Sequence, residues 1–248
     1  MMPSLTVIWL ILVSLVAGSF FGVVVARIDE PASILTGRSH CDGCRRSLGA
    51  RDLIPLVSWL VVRGRCRTCG MRLGLFYPLF ELGAVAVAAW SVALATGWLV
   101  WVTALLGWVL LTLAVIDARH MFLPDFLTLP LVAAGLAVSA ASDRQQLVSS
   151  AIGAAAGFLF VAMIRAAYRR FRGVEAIGLG DAKLLAAAGA WLGWQGLPST
   201  ILLASLTGLA VVSFRLMRGA EFSLGDPVPF GTYLCIGIWV VWLYGPLG

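Results

Sequence analysis

Three aspartates and four cysteines have the types and spacing that could do chemistry in this chain. Asp117, Asp125 and Asp181 stand at the ends of apolar runs, and Cys41-x-x-Cys44 and Cys66-x-x-Cys69 share one polar stretch. In "IGLGDAKLL", Asp181 follows Gly178 and Gly180 at the mouth of an apolar run, with Lys183 two positions on. In "LLTLAVIDARHMFLPDFLTLP", Asp117 closes one run and Asp125 opens the next, just after Pro124. An ionisable side chain at such a place in a membrane helix is a functional candidate by default. Asp125 and Asp181 also have a plain structural explanation, since a carboxylate at a helix start accepts orphan N–H groups; for Asp125 capping is the expected role. Asp117 has no such excuse. At a helix C-terminus it faces the negative end of the macrodipole, so something else must justify it.

A facing pair of aspartates would do so. Two carboxylates sharing a proton activate a water, one taking its proton while the other polarises a scissile carbonyl. Helix-end electrostatics make Asp181 the expected base and Asp117 the expected acid. Gly178 and Gly180 would let the backbone bend and an extended substrate approach. Lys183 either meets an acidic group of the substrate or snorkels to the lipid headgroups, and snorkelling is the simpler reading. Other hydrolytic chemistries fail on inventory. The chain has two histidines, His40 and His120, with no H-E-x-x-H and no G-x-S-x-G. A transporter with proton-relay aspartates is the competing class. It predicts acids at mid-membrane and internal repeats, neither of which the sequence contains.

The cysteine pairs fit a four-thiolate zinc site, each knuckle gripping one side of a tetrahedral ion. Gly43 and Gly70 suit the tight turns beside the sulfurs, and Arg45, Arg46, Arg65 and Arg67 offset the negative charge of such a site. Two disulfides or a redox relay are the alternatives; a reducing compartment disfavours the first, and two matched knuckles disfavour the second. Cys235, inside an apolar run, reads as a packing residue.

The elements that must position these groups are membrane helices. The 248 residues are 60% apolar and 12% charged, about half the charge of a soluble domain. Apolar runs long enough to cross a bilayer recur at about 4–26, 75–96, 98–116, 125–142, 147–167, 182–195, 198–214 and 231–246. An all-α polytopic membrane protein of about eight spans follows, with a small four-cysteine loop between the first two. The first run lacks a basic flank and a small-residue cleavage site, so it reads as a permanent helix. With the N-terminus outside, segments 27–74, 117–124, 168–181 and 215–230 are cytoplasmic. With the adjoining helix ends they hold every Lys and Arg except Arg144, a strong positive-inside bias. The net charge of +6 is thus explained by anionic lipid rather than nucleic acid.

Several motifs in order carry a family resemblance: "GSFFGVVVARI" at 18–28, the cysteine tetrad, "IPLVSWLVVRGRCRTC" at 54–69, "YPLFELGA" at 77–84, "IDARHMFLPDFLTLPL" at 116–131, "GLGDAKLLAAAGAWLGW" at 178–194 and "VPFGTYLCIG" at 228–237. Over nearly its full length the chain resembles the bacterial type IV prepilin leader peptidases and N-methyltransferases, membrane aspartic proteases of the GxGD type. The resemblance implies that Asp117 and Asp181 are catalytic, with Asp125 on the accompanying Pro-Asp. It implies cleavage of prepilin or pseudopilin leaders after a glycine at the cytoplasmic face of the inner membrane. It further implies methylation of the new N-terminus from S-adenosylmethionine. The zinc loop is linked with methylation, as is Glu81, on the "YPxxEL" glutamate. The implied organisation is a first helix at 1–26, a cysteine-rich loop at 27–74 and a peptidase core at 75–248. Where the family commonly has Asn and "RLP", this chain has Gly22 and "RID" at 27–29. Both departures fall in the segment associated with methyl transfer, so a peptidase without that second activity remains the alternative.

Overall fold

The computed structural model describes residues 4–29, 37, 39–41, 43–173, 178–219 and 227–247. Among them the only regular elements are helices, and the only β features are two isolated bridges, His40 to Ser47 and Arg65 to Arg72. The helices are α1 (Ser4–Ala26), the short α2 (Val57–Val61), α3 (Phe76–Leu94), α4 (Leu99–His120), α5 (Asp125–Ser142), α6 (Arg144–Arg172), α7 (Leu179–Met217) and α8 (Phe230–Tyr244). Six of them are long and apolar enough to cross a membrane; α8, with 15 residues, is apolar but shorter. The expected class, a polytopic all-helical membrane protein, is what the chain forms.

One boundary differs from the sequence reading. The spans expected at 182–195 and 198–214 are the two helical stretches of α7, but they meet at a kink at Gly193 (φ 71, ψ 175) rather than at 196–197. A left-handed φ there is open to glycine at little cost. Pro198, which marks the break in the sequence, lies inside the second stretch; the bend falls at the residue that can turn rather than at the one that cannot donate.

The chain divides into two compact units, Met1–Thr112 and Leu113–Gly248. In the first, α1 packs on α3 with Gly18 against Ala84 and the Glu81 backbone. Leu10, Ala84, Ala88, Val100, Ala104 and Trp108 form its core, and the Trp108 indole donates to the Ala84 carbonyl at 2.9 Å. In lipid such packing relies on close fit and buried polar contacts rather than on hydrophobic burial.

The second unit uses the same rule more strongly. α6 and α7 meet along small residues: a Cβ on Gly189 would lie 2.1 Å from the Gly153 carbonyl carbon, and one on Gly157 would lie 2.5 Å from the Leu185 oxygen. The Ser139 hydroxyl of α5 lies 2.8 Å from that of Ser150 on α6 and 3.2 Å from the Ala190 carbonyl on α7. Trp191 on α7 donates to the Leu131 carbonyl on α5 at 2.8 Å. Because the atoms facing Gly189 are backbone, they have no rotamer with which to give way. Gly189→Ala is therefore expected to destabilise the protein by about 1–3 kcal/mol, read as a lower melting temperature of the detergent-solubilised protein.

Candidate functional site

Asp117 lies in the last turn of α4 and is 5% exposed. Its Oδ2 accepts a hydrogen bond from the Thr232 backbone N–H at 2.7 Å and lies 3.2 Å from the Thr232 hydroxyl. Thr232 is the third residue of α8, so its N–H is one of the orphan donors of a helix start. This answers the difficulty Asp117 poses in the sequence. The carboxylate faces the positive end of a second helix, which offsets the unfavourable end of its own.

Asp181 is the third residue of α7, and the N–H of Gly178, the residue flanking that helix, is directed to its carboxylate. Both acids thus sit at a helix N-terminus, and the helix-end contrast expected to separate their roles is largely cancelled. They lie within electrostatic reach of each other, and both act on the buried Cys235 of α8. Leu123 lies between the glycines beside them: a Cβ on Gly180 would come within 2.9 Å of the Leu123 Cβ, and one on Gly231 within 2.9 Å of its Cδ1. The space freed at Gly180 is therefore taken by Leu123, whereas at Gly178 the nearest atom is the Asp181 Oδ2, 3.7 Å away.

Asp125 does not cap α5. Pro124 holds that position without a side-chain capping bond, and Asp125 instead pairs with Lys183 of α7 at 2.5 Å. Lys183 is thereby held across two helices rather than extended towards the headgroups. His120 ends α4 on the exposed side.

The four cysteines of the loop converge, their sulfurs all within 4.8 Å of one another. Cys41 and Cys69 Sγ are 3.7 Å apart, close to the sulfur–sulfur edge of about 3.8 Å in a tetrahedral zinc–thiolate site with Zn–S near 2.3 Å. The two knuckles are built alike. Cys41 N–H donates to the Arg46 carbonyl and Arg45 N–H to the Cys41 carbonyl; Cys66 N–H donates to Met71 and Gly70 N–H to Cys66, all at 2.9–3.0 Å. Gly70 turns with φ 70, but its counterpart is Arg45 with φ 57, not Gly43. Gly43 is small for another reason: a Cβ there would lie 2.7 Å from the Met71 sulfur. The backbone N–H groups of Cys69 and Thr68 bring the Cys66 thiol down to about 6. For Cys69 the Met71 N–H acts in the same direction, but desolvation and the neighbouring thiols push it up to about 11. Arg46 and Arg67 do not face the sulfurs; both pair with Asp52, at 3.7 and 2.9 Å, tying one knuckle to the other.

Beside the cysteines the first unit has a partly open cavity of about 700 Å³, whose walls include Arg27, Cys41, Trp59, Cys66, Tyr77 and Glu81. Glu81 is 6% exposed and accepts the Leu56 N–H at 2.7 Å, holding Leu56 at an unusual φ of 56. Gly22 faces Tyr77 and Phe80, 3.4 and 3.8 Å from a Cβ position.

Sequence reasoning assigns no role to Thr232 or Leu123. The first had a usable signal, a helix start after Pro229. The second had none, because an apolar residue in an apolar segment announces nothing.

A polytopic helical membrane protein with two acids gathered at helix ends and a four-thiolate loop defines a membrane hydrolase of the paired-aspartate kind as the class to test. The "Type IV leader peptidase family" model matches residues 104–213, and the "Bacterial Peptidase A24 N-terminal domain" model matches 12–95. A prepilin leader peptidase/N-methyltransferase of Aeromonas hydrophila is 40% identical, over 94% of this chain and 89% of its own length. Proteins of the same name from Burkholderia pseudomallei (39%, covering 92% and 82%) and Pseudomonas aeruginosa (38%, covering 98% and 92%) are similar throughout. The chain belongs to the type IV leader peptidase family. No solved structure matches it.

Proposed function

We propose that the protein removes the leader peptide from prepilins and methylates the N-terminus so exposed. The observation that carries the peptidase half is the convergence of Asp117 and Asp181, distant in sequence, within electrostatic reach beside Leu123. In the reaction one carboxylate takes a proton from a water that attacks the scissile carbonyl, while the other, protonated, donates to the carbonyl oxygen. The N–H groups of Thr232 and Gly231 hold the Asp117 carboxylate against the start of α8, which fixes its orientation for the reaction. The scissile bond is presented at the cytoplasmic edge of the bilayer, where the basic residues cluster and both acids lie at helix ends. That distribution supports an inner-membrane protein with the outer end of α1 in the periplasm. A prepilin or a secretion pseudopilin fits equally well, its apolar segment entering between helices.

Zinc fits Cys41, Cys44, Cys66 and Cys69, and four sulfur ligands leave no open position, which is the pattern of a structural site. S-adenosylmethionine, when bound, supplies a methyl group activated on a sulfonium. The cavity of the first unit has a volume suited to such a ligand, with Trp59 and Tyr77 for the adenine and Glu81 for positive charge. Asp125 supports the site through Lys183 without chemistry of its own. An ion pair with this much exposure contributes at most about 1 kcal/mol, so Asp125→Asn is expected to keep cleavage within about fivefold of the parent. A drop comparable to that of an Asp181 variant would make Asp125 a reacting group.

The deciding experiment incubates purified protein with a prepilin and S-adenosylmethionine, mass spectrometry reporting leader loss and added methyl separately. Leader loss without methyl, at saturating donor and zinc, would leave the peptidase-only alternative.

A further inference from the structure

Leu123 is 4% exposed, whereas its neighbours Met121 and Phe122 are 47% and 51% exposed. All three belong to the short connection between α4 and α5, where Met121 takes φ 53 and turns the chain back over the end of α4. Leu123 and Pro124 are the buried residues of this turn, and the Leu123 side chain fills a slot left by the missing side chains of residues 180 and 231. The two glycines meet overlapping parts of it: a Cβ on Gly180 would lie 2.9 Å from the leucine Cβ and 3.4 Å from its Cδ1, and one on Gly231 2.9 Å from the same Cδ1. A Cβ on Gly231 would also come within 3.0 Å of the Asp117 Oδ2. One apolar side chain therefore touches the residue before Asp181 and the residue before Thr232, the anchor of Asp117.

We propose that Leu123 is a positioning residue of the peptidase site, the spacer that sets the separation of the Asp117 and Asp181 carboxylates. The inference rests on reading those acids as the reacting pair. Its physical basis is that close-packed side chains transmit displacement rather than absorb it, while acid–base catalysis tolerates little error in the placement of its groups. A methylene too few at position 123 lets the two helix starts settle at a new distance. A side chain at 180 or 231 forces them apart. Leu123 touches no substrate in this account, and its effect is felt in turnover rather than in binding.

Two measurements on the full-length protein in detergent test this. In steady-state cleavage, Leu123→Ala is expected to lower kcat by about 30-fold with KM within about twofold, and Leu123→Met, which conserves volume, to stay within about threefold of the parent. Leu123→Val keeps the Cβ contact to Gly180 and loses the Cδ1 contacts to both glycines, and is expected to fall between them. It serves also if the alanine variant fails to fold. The second measurement needs no activity. In an Asp117→Cys/Asp181→Cys protein, thiol cross-linkers of short and long span are compared, the 117–181 link being identified by peptide mapping. Leu123→Ala or Leu123→Val is expected to shift the short-to-long ratio by at least about threefold, and Leu123→Met to leave it nearly unchanged. An unchanged ratio in the alanine and valine variants, or a rise in KM with kcat preserved, overturns the proposal. If the parent cleaves no prepilin, the peptidase reading fails, and the cross-link ratio still decides the role of Leu123.

Discussion

Replacing Asp117 or Asp181 with Asn should abolish leader removal, with kcat falling by about a thousandfold or more, while the protein still folds and still methylates a substrate supplied without its leader. Asparagine has the shape of aspartate and keeps a carbonyl oxygen, so at position 117 it can still accept the Thr232 N–H that lies 2.7 Å from Oδ2. At position 181 it can still accept the N–H of Gly178. What it cannot do is take or release a proton, so the loss reports chemistry rather than architecture. Melting temperature and methyl transfer serve as the controls, the latter because the thiolate loop and the cavity both lie in the first unit. Full cleavage by the Asp181 variant would remove that residue from the mechanism.

Serine at any of Cys41, Cys44, Cys66 or Cys69 should have the opposite selectivity. Bound zinc is expected to fall well below stoichiometric and methyl transfer by about 100-fold, with cleavage within about threefold of the parent. The described loop contains only a turn at Ala50–Asp52, the five-residue α2 and two bridge-closed knuckles, too little to supply a core of its own. Metal binding is then much of its folding free energy, which for structural zinc sites is on the order of 10 kcal/mol. Cys41 and Cys66 also line the cavity, so a loosened tetrad opens the wall of the candidate donor site. Zinc content by elemental analysis and methylation by mass spectrometry check both halves. Cleavage lost with methylation intact would contradict this separation.

How legible this was in advance depended on the kind of signal. Hydropathy gave the helices, because a bilayer imposes a length and a composition that few other environments demand. The tetrad was visible because metal geometry requires short ligand spacings. The importance of Asp117 was visible as an anomaly, an acid at the wrong end of a helix, but its remedy was not. Nothing local in "VPFGTYLCIG" says that its first N–H groups turn towards a carboxylate on another helix. The Asp125–Lys183 pair was hidden for the same reason, since both residues have adequate local explanations and only packing chooses a third. The kink went to Gly193 rather than Pro198 because a positive φ is open to glycine, and Pro198 then falls near the start of the second stretch, where a missing N–H costs least.

The bond from Thr232 to Asp117 spans 115 residues of chain, and that separation has a consequence for biosynthesis. The nascent protein carries its acid into the bilayer long before the ribosome has made the donor that binds it. Until α8 inserts, Asp117 must find a temporary partner or remain at the headgroup level. With Asp117 read as one of the reacting pair, cleavage becomes possible only once α8 has been made and set its first turn against the end of α4.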